Sequence, residues 1–223
     1  MTTVLFKPNI SKLDTVRGQY TINELKKERC LFSADLNYAK RRSGPIVNEI
    51  IHKIVDGDRG TISDCILNHN KYPIVDVRIQ RLMPGMYPSI PGYHCDAVER
   101  SGYHGQPNID ALNNNAWHYC CIIGSEHYIS MTQYVSQERE IQIDTRQPVW
   151  KQVHKAVANA NPSCYLPSQG DIIKFNSSTI HAATPAVARG WRLFFRLSMY
   201  HEPPLNEEPS QMMAYVLSEE NGW

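Results

Sequence analysis

The sequence predicts a mainly β fold, a sandwich or barrel, with a helical N-terminal cap. Three observations carry that expectation. Helical periodicity is concentrated in the first seventy residues, short alternating runs recur from Ile74 onward, and one helical pattern, opening at Pro148, interrupts them. The length of 223 residues suits one sizeable domain. It divides into a mostly helical cap (1–70), a β core (74–200) and an acidic C-terminal tail (202–223).

Within the cap, Thr21-Ile22-Asn23-Glu24 has the Thr-x-x-Glu form of a capping box, in which side chains satisfy the first free N–H groups of a helix. Ile46, Val47, Ile50, Ile51, Ile54 and Val55 fall on one helical face, and the segment stops at Gly57. Ile74 to Met83 is rich in β-branched residues and sets Asp76, Arg78 and Gln80 on one face. Trp117 to Ile123 is a short apolar strand, and His127 to Ser136 alternates Ile129, Met131 and Val135 with Ser130, Thr132 and Tyr134. Pro148, Val149, Trp150, Val153 and Val157 read as a helix with proline in its first turn. Asp171 to Phe175 follows a Gly170 turn, and Arg192 to Tyr200 closes the series. Between these elements, Ala97 to Ala116 is polar, carries Gly102, Gly105, Pro107 and Asn113-Asn114-Asn115, and is expected to form a mobile lid.

A formal net charge of +1 lacks the basic footprint of a phosphate-gripping surface, which removes the usual reason to propose a nucleic-acid partner. No apolar run approaches the ~18 residues that span a bilayer, and the N-terminus reads as no signal peptide. The six cysteines fit reduced thiols, with Cys120-Cys121 buried in the core. A cytoplasmic protein acting on a small molecule is the expectation. The oligomeric state has no signature in the sequence.

The chemistry-bearing residues are few. His94 and Asp96 lie two apart, so on a strand both project from one face. His181 follows the strand that Gly170-Asp171 opens. Two histidines and one carboxylate occupy one face of an octahedron and leave positions open, the ligand set of non-haem iron(II) sites. On the last strand Arg192, Phe194, Arg196 and Ser198 share one face, and Trp191, Leu193, Phe195 and Leu197 the other. Two arginines on such a strand are costly to bury without anions. Guanidinium and hydroxyl donors suit a carboxylate, so a dicarboxylate cosubstrate is a natural partner.

Over roughly residues 74–200, His94-x-Asp96, His181 and the downstream arginine resemble the iron(II)/2-oxoglutarate-dependent dioxygenase superfamily. The resemblance implies a double-stranded β-helix (jelly roll) and iron(II) on His94, Asp96 and His181. It also implies 2-oxoglutarate and O2 as cosubstrates, and hydroxylation of a small polar molecule with release of succinate and CO2. The spacing His181-x10-Arg192-x3-Arg196-x-Ser198 is similar to the taurine dioxygenase and cephalosporin synthase types. In the latter, Arg-x-Ser binds the far carboxylate of 2-oxoglutarate, here Arg196 with Ser198. His181-x3-Pro185 and Gly190-x-Arg192 also resemble the prolyl-hydroxylase pattern, with one residue more, and would give that role to Arg192. Ser198 tilts the preference to Arg196. Arg78 and Gln80 are candidate substrate contacts. Asp96 stands where related halogenases carry a small residue, which disfavours halogenation.

Four alternatives remain. The oxygenase could act on a residue or base within a polymer. A cupin-type enzyme would share the Pro167-x-x-Gly170-Asp171 approach to His181 but would need a His-x-His pair. A zinc hydrolase could use the same three ligands but leaves the arginines unexplained. A catalytically silent jelly-roll binding module would keep the fold alone.

Overall fold

Strands, not helices, begin the chain. β1 (Thr2–Phe6) and β2 (Ile10–Thr15) precede α1 (Ile22–Leu25), β3 (Leu31–Asp35), α2 (Leu36–Arg42), α3 (Pro45–Gly57) and α4 (Arg59–His69). Then come β4 (Tyr72–Leu82), β5 (Trp117–Gly124), β6 (Thr132–Val135), β7 (Arg139–Ile143), α5 (Val149–Ala160), β8 (Cys164–Tyr165), β9 (Asp171–Asn176), β10 (His181–Ala183) and β11 (Gly190–Tyr200). The structure, a computed structural model, describes residues 1–89, 91–112, 116–127 and 129–209, without the side chains of residues 103 and 111. Asn113 to Asn115 of the expected lid, Tyr128 of the expected His127–Ser136 strand and the tail beyond residue 209 lie outside the described residues.

Six strands form one antiparallel sheet in the order β2-β9-β5-β11-β4-β3, three more form β10-β6-β8, and β1 pairs with β7. This corrects the expectation of a mostly helical cap. The first seventy residues hold four helices, but β1, β2 and β3 join strands far along the chain, β7, β9 and β4 respectively. β2 and β3 are the edges of the large sheet. Edge strands are half solvated, so they lack the apolar alternation that marks an interior strand.

The helices that were expected form for the expected reasons. Thr21 Oγ accepts from the Glu24 N–H at 3.3 Å while the Glu24 carboxylate accepts from the Thr21 N–H at 2.7 Å, the reciprocal capping box. α3 begins with Pro45 and has no side-chain cap of its own. Buried Glu28 serves instead, accepting from the Gly44 and Ile46 N–H groups at 2.9 and 2.7 Å, so that a carboxylate sits at the positive end of the helix dipole.

Alternation along the sheet divides the core into layers. Val75 and Val77 of β4, Tyr119, Cys121 and Ile123 of β5, and Leu193, Phe195, Leu197 and Met199 of β11 pack against Ile46, Val47, Ile50, Ile51 and Ile54 of α3. Each such aliphatic side chain contributes about 1.5–3 kcal/mol on burial. On the opposite face Cys120, Ile122, Ile173 and Phe175 meet Tyr134 of the smaller sheet and Met131 just before β6. Beyond that sheet, Val4, Phe6, Ile141 and Ile143 cluster with Val149, Trp150, Val153 and Val157 of α5. A cavity opens between the two sheets.

Cys120 and Cys121, adjacent in β5, are both buried and point to opposite layers, and all six cysteines are free thiols. No helix among the described residues is long and apolar enough to cross a membrane. The described part of the tail lies on β3. Phe32 and Glu207 form a bridge, and the Glu208 carboxylate accepts from Arg29, Tyr38 and Arg42.

Candidate metal centre

His94 and His181 meet through the backbone. The His94 N–H donates to the His181 carbonyl at 3.0 Å and the His181 N–H donates back at 2.9 Å. The segment is a single bridge beside β10 rather than a regular strand, yet the alternation expected of His94-x-Asp96 holds. Cys95 packs in the outer cluster with α5 and touches the cavity only as part of the same wall, whereas His94 and Asp96 bring their ligand atoms together with that of His181. Gly92 has φ +107°, a conformation that side-chain-bearing residues rarely adopt, and its carbonyl receives the His94 Nδ1 at 2.9 Å.

Three candidate ligand atoms, one each from His94, Asp96 and His181, lie within 4.8 Å of one another. The His94 and His181 Nε2 atoms stand 3.8 and 3.4 Å from the Asp96 carboxylate oxygens. Two atoms held at about 2.0–2.2 Å from one metal at right angles lie roughly 3 Å apart, close to what is seen. Each Nδ1 donates to a main-chain carbonyl, His94 to Gly92 and His181 to Thr179 at 3.0 Å. That sets the tautomer in which Nε2 carries the lone pair, the usual outer-shell support of a metal-binding histidine. Burial, with His181 alongside, lowers the His94 pKa to about 4, so the ring is neutral at ordinary pH. The donor set fits a divalent metal such as iron(II).

Asp96 is charged for a different reason. Burial alone would raise its carboxyl, but Arg196 and His181 outweigh burial and hold it well below the usual range. Arg196 donates to Asp96 Oδ2 at 2.7 Å and to Asp76 Oδ2 at 2.8 Å. The ladder places Asp76 directly across from Arg196, Arg78 across from Phe194, and Gln80 across from Arg192.

Arg192 is 3 % exposed. Its Nε donates to the Ser130 carbonyl at 3.0 Å and its Nη1 to Gln80 Oε1 at 3.4 Å. No carboxylate among the described residues pairs with it, and burial lowers its pKa to about 10. Arg192 lines a cavity of about 960 Å³ together with His94, Asp96 and His181.

The geometry therefore distributes the two arginines differently from the preference drawn from spacing. Arg196 is already engaged by two carboxylates, while Arg192 offers its charge to the cavity. Ser198 does not assist Arg196: fully buried, its hydroxyl bonds His118 Nδ1 at 2.8 Å. Gln80, 1 % exposed, bridges the Pro88 carbonyl and Arg192 and is absent from the cavity wall. Arg78 does line the cavity. Of the expected lid, Ala97 to Arg100 form part of the wall, while Ile109 and Leu112 are buried in the cluster with α5.

Three residues were not singled out as site residues from the sequence. Asp76 could have been suspected from its shared face with Arg78 and Gln80, but its partner depends on strand register. Phe194 carries the guanidinium carbons of Arg78, Arg192 and Arg196 at 5.7, 5.3 and 6.0 Å from its ring centre. Tyr134, whose ring centre is 5.8 Å from that of His181, borders the cavity and had only its place in a strand to mark it.

No known-family model matches the sequence, and no curated protein matches it. Among solved structures, the chain is similar to ThoJ, a non-heme monooxygenase, as its nickel complex, with 12 % identity, 85 % of this chain and 84 % of that chain covered, and a TM-score of 0.38. It is also similar to an N-substituted L-amino acid dioxygenase from Burkholderia ambifaria AMMD in complex with alpha-KG, at 13 % identity, 82 % and 74 % coverage and a TM-score of 0.34. A third likeness is EctD from S. alaskensis in its apoform, at 10 % identity, 91 % and 89 % coverage and a TM-score of 0.37.

Proposed function

We propose that this chain is a non-haem iron(II) oxygenase of the jelly-roll type that uses 2-oxoglutarate and O2 to hydroxylate a small polar molecule, releasing succinate and CO2. One observation carries the reading. A cluster of two histidines and a carboxylate opens into the same cavity as Arg192, a buried guanidinium that no carboxylate of the described chain neutralises. A zinc hydrolase could use the cluster but would leave Arg192 without an anion.

His94, Asp96 and His181 would hold the metal. Bound there, iron(II) supplies the dioxygen activation that couples oxidation of 2-oxoglutarate to hydroxylation of the substrate. Arg192 receives the far carboxylate of the cosubstrate, with Gln80 and the Ser130 carbonyl holding the guanidinium in place. Arg196 is a positioning residue: it orients Asp96 and keeps it ionised. Phe175 and Tyr134 pack around His181 with ring centres at 5.2 and 5.8 Å and keep water from that side of the centre. A cavity of this volume accommodates a cosubstrate and a second small molecule.

Anaerobic calorimetry on the iron(II)-loaded protein tests this. Binding of 2-oxoglutarate should require the metal and vanish in His94→Ala. It should weaken about ten- to hundredfold in Arg192→Leu, the worth of a charge-assisted contact. Wild-type protein that binds 2-oxoglutarate equally well with and without metal would sink the proposal.

A further inference from the structure

The cavity holds more positive charge than the proposed cosubstrate can use. Three guanidiniums, of Arg78, Arg192 and Arg196, surround the Phe194 ring. Two carboxylates, of Asp76 and Asp96, face them, and both are taken by Arg196. The two positive charges of a bound iron(II) and the two negative charges of 2-oxoglutarate cancel, so one guanidinium stays in surplus with or without them. Glu99, Arg100 and Glu202 also border the cavity, but they are exposed, where water and salt screen them.

The surplus falls on Arg78. Its side chain lines the cavity, its Nε is buried without a hydrogen-bond partner, and no carboxylate among the described residues forms an ion pair with it. The Phe194 ring, 5.7 Å away, and the charges of Asp76 and Asp96, both bonded to Arg196, favour its charged form. Burial and the neighbouring Arg196 outweigh them, and a ring face repays only part of the hydration a guanidinium gives up. The Arg78 side chain takes no part in the apolar layer that anchors the sheet: it lines the cavity, while Val77 beside it packs in the α3 layer. A half-buried cation with no carboxylate ion-paired to it among the described residues, one ladder step from Arg192 and one from Arg196, is placed for an anion from outside the chain.

We propose that Arg78 is a specificity-determining residue that receives a carboxylate of the substrate, so that the substrate class is small molecules carrying one negatively charged group. This rests on the oxygenase reading above, in which 2-oxoglutarate occupies Arg192. The Arg78 fork then holds the substrate by its acid group in the cavity that the metal ligands also line, and a neutral amide in that place leaves the guanidinium unpaired. The discrimination this gives is far larger than an apolar pocket achieves by size.

The experiment uses full-length protein loaded with manganese(II) and saturating 2-oxoglutarate, titrated with acetate, propionate, butyrate and benzoate and, in parallel, with their uncharged amides. The readouts are calorimetry and the shift in melting temperature. The acids should bind the wild type and the amides should not. Arg78→Gln should weaken the acids about tenfold or more while leaving 2-oxoglutarate affinity within about twofold, and Arg78→Lys should restore part of the binding. The melting temperature of ligand-free Arg78→Gln should match or exceed that of the wild type, because an unpartnered cation has been removed. The inference is overturned if the amides bind as well as the acids, if no acid binds the wild type, or if Arg78→Gln binds the acids undiminished. Loss of 2-oxoglutarate in Arg78→Gln would also overturn it, by assigning Arg78 to the cosubstrate. If the wild type fails to bind 2-oxoglutarate, the oxygenase reading falls separately, and the acid series on the metal-loaded protein still reads Arg78.

Discussion

The two faces of β11 share one backbone and opposite economies. Toward α3, Leu193, Phe195, Leu197 and Met199 are buried in the largely apolar cluster, where burial favours the folded state. Toward the smaller sheet, Arg192, Phe194 and Arg196 face the cavity, and two of the three guanidiniums gathered there lack a carboxylate partner in the described chain. The first face holds the strand rigid, and the second can therefore carry charge that would destabilise a less well anchored element. Charged residues kept at a cost in stability are what a site completed by a ligand would require.

Substitutions on the two faces should separate these roles, and Arg196 should show the largest effect. It touches two carboxylates, and removing one partner of a buried pair costs about 3–5 kcal/mol. Arg196→Met should thus destabilise strongly, unlike changes at Arg78. The loss also alters pH dependence. Asp96 is depressed mainly because Arg196 outweighs burial, and a depressed carboxyl contributes its stability above the unfolded pKa and loses it as pH falls through the folded one. Without Arg196 the folded pKa rises, so metal binding should fail at a higher pH than in the wild type. Metal titrations across acidic pH would check this, and an unshifted midpoint would remove Arg196 from its positioning role.

The apolar face should respond next. Ile50 is fully buried against the sheet, and truncating such a residue costs about 2–5 kcal/mol. Ile50→Ala should lower the unfolding free energy by that amount, read from a lower denaturant midpoint at unchanged m, while 2-oxoglutarate affinity, measured where the variant remains folded, stays unchanged. A matching fall in affinity would mean that the two faces are not independent.

What the sequence disclosed follows the same division. The α3 stripe, the strands near Ile74 and Arg192, and the meeting of His94, Asp96 and His181 were legible because each depends on local periodicity or on residue types with few bland uses. The strands β1, β2 and β3 were not legible, because their pairing partners lie far along the chain and their edge positions blur alternation. The division of labour between Arg192 and Arg196 was equally hidden. Spacing placed both on one face, and only the β4–β11 register, which sets Asp76 against Arg196 and Gln80 against Arg192, tells which one is already neutralised.

Ser198 gives the smallest and most pointed test, because the Arg-x-Ser pattern gave it a cosubstrate role and the structure gives it another. Its hydroxyl bonds the Nδ1 of His118, a ring with no exposed surface whose Nε2 already lacks a partner. Burial lowers the His118 pKa to about 3, so the ring stays neutral and depends on this one hydrogen bond for its polar satisfaction. Ser198→Ala leaves both ring nitrogens unpaired, a penalty of about 1–3 kcal/mol, and the melting temperature should fall accordingly. Affinity for 2-oxoglutarate should not change, since the hydroxyl lies outside the cavity wall. A variant of native stability whose cosubstrate affinity drops about tenfold would return the carboxylate to the Arg196–Ser198 pair and displace Arg192.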